Sequence, residues 1–455
     1  MSWIGSWRAR LEVAIPLTTR RSSARIASRP LSAKNADWAF HADDDEVLDA
    51  LASGRQTESL REYFGAPAYA DLSALASAVK KRAGKRRGPR VLILPGIMGS
   101  KLGLRTGGAG ARHRNPQVLW IDPLQIAAGR LTALTLPSEQ PIEPVGVLLF
   151  SYAKLKLKLH LAGYDASFHS YDWRLGLDEL GVRLAARIAD DGRPVILVAH
   201  SMGGLVARMA ARILPKRFVR KLIMLGTPNQ GSLAPVQALR GTYPFVRNMS
   251  TLDRRHSAEY LAQEVFCTFP GLCQMLPSRR FKGLDLLDVR SWPAGPTPPA
   301  QLLDRVAAIR SGLGPADSRM VQIVGVNQET VVGLRRTAAG FEYAMDRNGD
   351  GTVPLSLARL PKLKCYFVDE AHADLANNAR VIQAIIDLAR SGRTRGLPRR
   401  WRARPGVVRR MDDAQLRLEG REKIDWRRLT PAQREAVFAA LDSGRLLPAA
   451  RHPVA

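Results

Sequence analysis

A serine hydroxyl is a useful nucleophile only where a histidine can take its proton and a carboxylate can hold that histidine in the right tautomer. Ser201 has the local context for this role. It lies in AHSMGG, which follows the apolar run PVILV directly and leads into the amphipathic stretch GGLVARMAARIL, and this places it on a sharp turn from a buried strand into a helix. Small residues must flank such a turn. Gly203 meets the need, and Ala199 stands where glycine is usual. The N-terminus of the following helix brings backbone N–H groups and a positive dipole end to the place where an oxyanion would form.

On this kind of turn the partners follow in the order serine, acid, histidine. The histidines after Ser201 are His256, His372 and His452. His256 lies in an irregular stretch and His452 near the end of the chain. His372, just after the strand-like LKCYFVD, is therefore the expected base. His200 is next to the serine but cannot fold back onto it, and it reads as structural. For the acid, Asp350 in DRNGDGTVP is favoured over Asp346, Asp369 and Asp374, because it falls in a loop after the penultimate sheet strand. Asp369 stands too close to His372 in sequence to reach its ring. The oxyanion donors would be the N–H groups of Met202 and of Ile97 or Met98, the latter two lying in PGIMGSKL after an earlier strand.

The acid loop also imitates part of a calcium site. Asp346, Asn348, Asp350 and Gly351 follow the first half of an EF-hand loop, but Pro354 and Leu357 occupy its ninth and twelfth positions, where a ligand and a bidentate Glu belong. Neither a metal nor any other cofactor is expected.

The elements that would position these residues repeat one grammar. RVLILPG, ASFHSYDWR, PVILVAHS and KLIMLGTP read as strands, and helical patterns intervene, one of them with Leu177, Leu180, Leu184 and Ile188 on one face. Alternating strand and helix implies an α/β fold with a mostly parallel sheet covered by helices on both sides. YAKLKLKLHLAGY alternates like an exposed strand. Tyr152, Leu155, Leu159 and the terminating Gly163 also suit a helix, and a crossover to the next strand needs one. Short aromatic and proline-containing pieces then interrupt the pattern and suggest a cap over about 229–318. MVQIVGV, a hairpin (TVVGLRR, FEYAM), LKCYFVD and NNARVIQAIIDLARSG follow.

The expected organisation is a disordered basic N-terminus at 1–40, N-terminal helices and a basic linker at 41–89, and the core at 90–392. A basic C-terminal tail at 393–455 would carry one short helix, whose capping box is Thr430 and Gln433 around Pro431.

At 455 residues with 45% hydrophobic content the chain can bury a large core. A net charge of +28 favours polyanionic surfaces, and much of the excess lies in the segments that flank the core. No secretory signal and no bilayer-spanning run is evident, and Cys267, Cys273 and Cys365 are sparse. Cys267 and Cys273 could pair, but free thiols are favoured. These features point to a cytoplasmic protein that meets an anionic membrane only peripherally, at the inner face. The oligomeric state is not readable.

In order, LPGIMGSKL, VLWIDP, SYDWR, AHSMGG, GTPNQGS, GDGTVP and EAHADL resemble the lecithin:cholesterol acyltransferase family, which includes lysosomal-type phospholipases and phospholipid:diacylglycerol acyltransferases. The likeness covers roughly residues 90–390. It implies an α/β-hydrolase core with a lipid-binding cap, Ser201, Asp350 and His372 as catalytic triad, and oxyanion donors at Ile97 and Met202. Two departures bear on substrate: NQGS after GTP, and no counterpart of a disulfide-held lid.

Met98, Trp120 and Trp173 are candidate substrate-binding residues. Asp172, Trp173 and Arg174 are expected first to brace the sheet edge through an internal ion pair, with Trp173 lining the acyl pocket as the sharper alternative, and Trp120 either lines the cap or fills core. The expected activity is acyl transfer from a lipid ester through an acyl-serine, to water or to an alcohol. Its rivals are a carboxylesterase for small esters or polyesters and a catalytically dead scaffold that binds membrane or nucleic acid. With the three residues intact, no nucleic-acid partner is expected.

Overall fold

A computed structural model of the chain describes residues 38–82, 88–104, 116–277, 284–402, 404, 406–418, 423–430, 433–434 and 437. Of the N-terminal disorder expected over 1–40, residues 1–37 lie outside these residues, as do part of the basic linker and most of the expected C-terminal helix, whereas Trp38–His41 form a helical turn with Ala39 and Phe40 buried. At that helix the capping box is present: Gln433 N–H donates to Thr430 Oγ1 at 3.3 Å, and Thr430 N–H to Gln433 Oε1 at 2.9 Å.

Six parallel strands form the central sheet: β1 (Arg90–Leu94), β2 (Asp165–Phe168), β3 (Val195–His200), β4 (Val219–Leu225), β5 (Met320–Val326) and β6 (Lys364–Asp369). Their spatial order is β6-β5-β4-β3-β1-β2. Every residue of β1, β3 and β5 is buried, as parallel strands covered on both faces require. The order reverses between β1 and β3. A crevice opens at such a reversal beyond the C-terminal ends of the strands, and this is where α/β sheets place ligands.

The alternating segment before β2 is a helix, Leu149–Leu161. Its lysines alternate with leucines because their carboxylate partners come from helices packed on it. Lys156 Nζ lies 2.8 Å from Asp45 and Lys154 Nζ 2.7 Å from Asp71, in the helices Asp44–Ser53 and Ala66–Lys81. Tyr152, Leu155 and Leu159 of this helix are buried.

Between β4 and β5 the chain leaves the sheet for a cap of short helices, among them Ala234–Leu239, Pro244–Leu252, Ala258–Glu264 and Ala300–Gly312. After β5 a hairpin pairs Thr330–Thr337 with Gly340–Asp346. Its outer edge is taken by Arg409–Asp412, within the stretch read above as a tail. Residues 409–418 therefore do not trail away. The strand Arg409–Asp412 leads into the helix Asp413–Leu418, whose first residue is fully buried, and both belong to the same compact unit as the sheet.

Candidate active site

Ser201 sits between β3 and the helix Met202–Ile213 with φ 53° and ψ −125°, backbone angles that cost a non-glycine residue of order 1–3 kcal/mol. Its neighbours hold it there: Ser201 N–H donates to the Leu225 carbonyl at 2.8 Å, and Gly204 N–H to the Ser201 carbonyl at 3.0 Å. The helix can start this close to the sheet only because residue 204 is glycine. A methyl group there would lie 1.9 Å from Thr227 Oγ1.

Ser201 Oγ lies 2.9 Å from His372 Nε2, and His372 Nδ1 lies 2.7 Å from Asp350 Oδ2. The order of donors follows. A carboxylate only accepts, so Nδ1–H donates to Asp350, and Nε2 is left to accept from the serine hydroxyl. Asp350 is buried, and its other oxygen accepts from the N–H groups of Thr352 at 3.0 Å and Val353 at 2.7 Å. His372 N–H donates to the Asp350 carbonyl at 2.8 Å, which ties the two loops together.

Asp369 faces elsewhere. It accepts from Asn327 Nδ2 and Gln328 Nε2, each at 3.1 Å, and pairs with Arg404. Asp346 is engaged by the backbone and side-chain N–H groups of Asn348. His256 pairs with Asp253 at 2.9 Å.

Ile97 and Met98 lie on the loop after β1 and line the same cavity as Ser201 and His372. Met98 has a left-handed backbone with φ 64°, and its carbonyl accepts from Trp120 Nε1 at 2.9 Å. Met202 is the first residue of its helix, so its N–H has no acceptor within the helix.

The cavity, of about 540 Å³, is also lined by Leu148, Tyr243, Phe245, Met345, Arg409 and Leu416. Trp120 and Trp173, candidates for substrate binding, do not line it, and of the two readings offered for each the structure takes the buried one. Both are fully buried, with rings 5.1 Å apart. Trp120 lies behind the wall residue Phe245 at 5.4 Å, and Trp173 packs on Phe269 at 5.6 Å. Each indole N–H reaches a carbonyl of the loop and strand after β1, at Met98 and Ser100 respectively. The tryptophans therefore brace the wall instead of forming it. Beside Trp173, Arg174 and Asp172 form a buried bidentate pair at 2.9 and 2.7 Å. Cys267 and Cys273 are buried free thiols, and burial pushes the Cys267 thiol up to about 12.

His200 does more than fill space. Its Nε2 lies 2.9 Å from the His372 carbonyl and its Nδ1 2.9 Å from Tyr152 Oη, which accepts from Gly96 N–H at 2.9 Å. A carbonyl fixes Nε2 as donor, so Nδ1 accepts from the tyrosine. The loop after β1 is thereby wired through Tyr152 and His200 to the backbone of His372. Sequence reasoning missed this wiring, because Tyr152 lies far from the other two in the chain and carries no motif.

Burial, then the neighbouring His372 ring, push the His200 imidazole down to about 3; burial, then Arg187 and Arg90, do the same to His169. Both are neutral when folded, whereas the unfolded chain protonates them below about pH 6.5. Their contribution to stability is thus present above that pH and lost as pH falls toward 3. Each removes about 1.4 kcal/mol per pH unit within the window. Urea melts at pH 7 and pH 5 should show this loss, and His200→Gln should remove the His200 share of it while the His169 share remains. An unchanged pH slope in that variant would contradict the buried neutral ring.

With the geometry in hand, comparison by sequence places a match to the alpha/beta hydrolase family over residues 91–354, more than half the chain. The chain belongs to that family. Among solved structures, this hydrolase chain is similar to a chain of the Tle4–Tli4 complex, with TM-score 0.44 and 14% identity over 66% of this chain and 98% of that one. It is also similar to the mature Bacillus licheniformis lipase BlEst2, with TM-score 0.31 and 16% identity over 63% and 86%, respectively. A third is phospholipase PlaB from Legionella pneumophila, with TM-score 0.34 and 11% identity over 68% and 61%. A comparison with curated proteins finds no match.

Proposed function

We propose that this chain is a serine-dependent lipid-ester hydrolase or O-acyltransferase, with Ser201 as nucleophile, His372 as general base and acid, and Asp350 as the orienting carboxylate. Above all, the unbroken donor chain supports this: Ser201 to His372 at 2.9 Å and His372 to Asp350 at 2.7 Å, ending at a mostly apolar cavity. The ordered motifs from LPGIMGSKL to EAHADL add the resemblance to lecithin:cholesterol acyltransferases and their phospholipase relatives.

Ser201 Oγ attacks the ester carbonyl carbon while its proton passes to His372 Nε2, and the N–H groups of Ile97 and Met202 receive the oxyanion. The bond to the leaving alcohol then breaks, and that alcohol takes the proton from His372. Water or an acceptor alcohol, deprotonated by the same nitrogen, attacks the acyl-serine and regenerates the enzyme. Which acceptor prevails depends on how well the cap excludes water.

Incubation with a fluorophosphonate probe and peptide mapping tests the reading. The expected adduct is on Ser201 alone, with long-chain aryl esters preferred to short ones. Labelling elsewhere, or none under conditions where the protein is folded, would sink the serine mechanism. A preference for short acyl chains would replace the lipid substrate with a small ester.

A further inference from the structure

The stretch after Leu397 climbs the edge of the sheet and then runs along the rim that carries Asp350 and His372. Phe367 N–H in β6 donates to the Pro398 carbonyl at 2.9 Å, and Trp401 Nε1 donates to Asn327 Oδ1 at 3.2 Å, just past the end of β5. Arg404 pairs with Asp369 at the end of β6, Gly406 lies beside the stem of Arg347, and Arg409 pairs with Glu329 while lining the cavity. Four hydrogen bonds and ion pairs thus place one arginine-rich segment at the mouth of the site.

What this segment shows to solvent is unusual. Val407 is 92% exposed and Val408 50%, side by side, between the exposed Arg400, Arg402 and Arg404 on one side and Arg409 and Arg410 on the other. Single exposed valines are ordinary, and arginine runs are usually solvated. A valine pair lifted out of an arginine run at the mouth of an apolar cavity serves neither the core nor solubility. Apolar side chains flanked by cations suit the boundary between acyl chains and anionic headgroups. Nucleic acid would use the charges but gains nothing from the valines, and the nearby Trp401 indole is already committed to Asn327.

We propose that this rim is a docking surface for an anionic lipid membrane. Val407 and Val408 enter the interface, the arginines contact the headgroups, and the cavity mouth is turned toward the bilayer. The orientation rests on the lipid-ester reading above, whereas the docking itself does not.

Co-sedimentation of the full chain with phosphatidylcholine vesicles, with and without about 30 mol% phosphatidylserine, tests the surface at low salt. Binding is expected only with the anionic lipid. Val407→Ser with Val408→Ser should weaken it roughly tenfold, and Arg400→Gln with Arg402→Gln roughly fivefold for each arginine removed. None of these four side chains lines the cavity, so hydrolysis of a soluble short-chain aryl ester should stay unchanged. Equal sedimentation with both vesicles, or unaltered binding by both double variants, overturns the proposal. So does binding to a mixed-sequence DNA oligonucleotide without binding to vesicles. Vesicle binding that the variants weaken, in a protein that hydrolyses no ester, would uphold the surface and fail only the catalytic reading.

Discussion

Asp350→Asn should lower kcat on any ester substrate by roughly 10³–10⁴-fold with little change in KM. The substitution keeps the size of the side chain. The amide oxygen can still accept from Thr352 and Val353, so the loop should hold its shape. The change falls on the other side, where an NH₂ group would now face His372 Nδ1 across the 2.7 Å contact. Two donors cannot share that contact. The imidazole must move its proton to Nε2, and the nitrogen beside Ser201 Oγ then carries a hydrogen where a lone pair is needed. Asp369→Asn is the control, since Asp369 is turned to Asn327, Gln328 and Arg404 and should cost less than about threefold in kcat. Steady-state kinetics of both variants with one aryl ester decide the matter. A large loss at 369 with near-normal turnover at 350 would move the acid to the residue that sequence spacing disfavoured.

The elements around Ser201 were legible because each residue's local surroundings announce its role. VILVA is apolar throughout and buried throughout, and the small residues that follow Ser201 let the helix begin at once. His372 could be found by elimination, since few histidines follow the serine. The helix Leu149–Leu161 was ambiguous for a physical reason. Alternating lysine and leucine mimics a strand when the carboxylates that neutralise Lys154 and Lys156, Asp71 and Asp45, lie in helices 83 and 111 residues earlier. The tryptophans were ambiguous because a large aromatic in a distinctive motif suits both a cavity wall and a buried brace. Only the indole N–H contacts to Met98 and Ser100 separate the two.

The role of residues 409–418 was the least legible, and it carries the second large effect. Arg409–Asp412 is a short polar strand whose pairing comes from backbone groups, so composition gives no sign of it. What locks it in place is Asp413, fully buried, and its partner Arg240 lies 173 residues away. Arg240 Nε donates to Asp413 at 3.0 Å, and its remaining nitrogens donate to the carbonyls of Pro293, Ala294 and Pro296. Asp413 also accepts from Tyr343 Oη at 2.7 Å and Phe341 N–H at 3.2 Å. One carboxylate thus joins the cap, the hairpin and the C-terminal segment.

Removing it as Asp413→Ala strands a guanidinium in the interior and should cost about 3–5 kcal/mol, whereas replacing both partners by apolar residues should recover much of the loss. Urea unfolding of Asp413→Ala and of an Arg240→Met, Asp413→Leu double variant measures both. A loss below about 1 kcal/mol in the single variant would mean that the pair does not hold the segment. Because Arg409 and Leu416 line the cavity, Asp413→Ala should also raise KM more than it lowers kcat in the molecules that remain folded. The segment that looked most dispensable in sequence would then prove to be part of the substrate wall, fixed there by an ion pair that only the folded chain brings together.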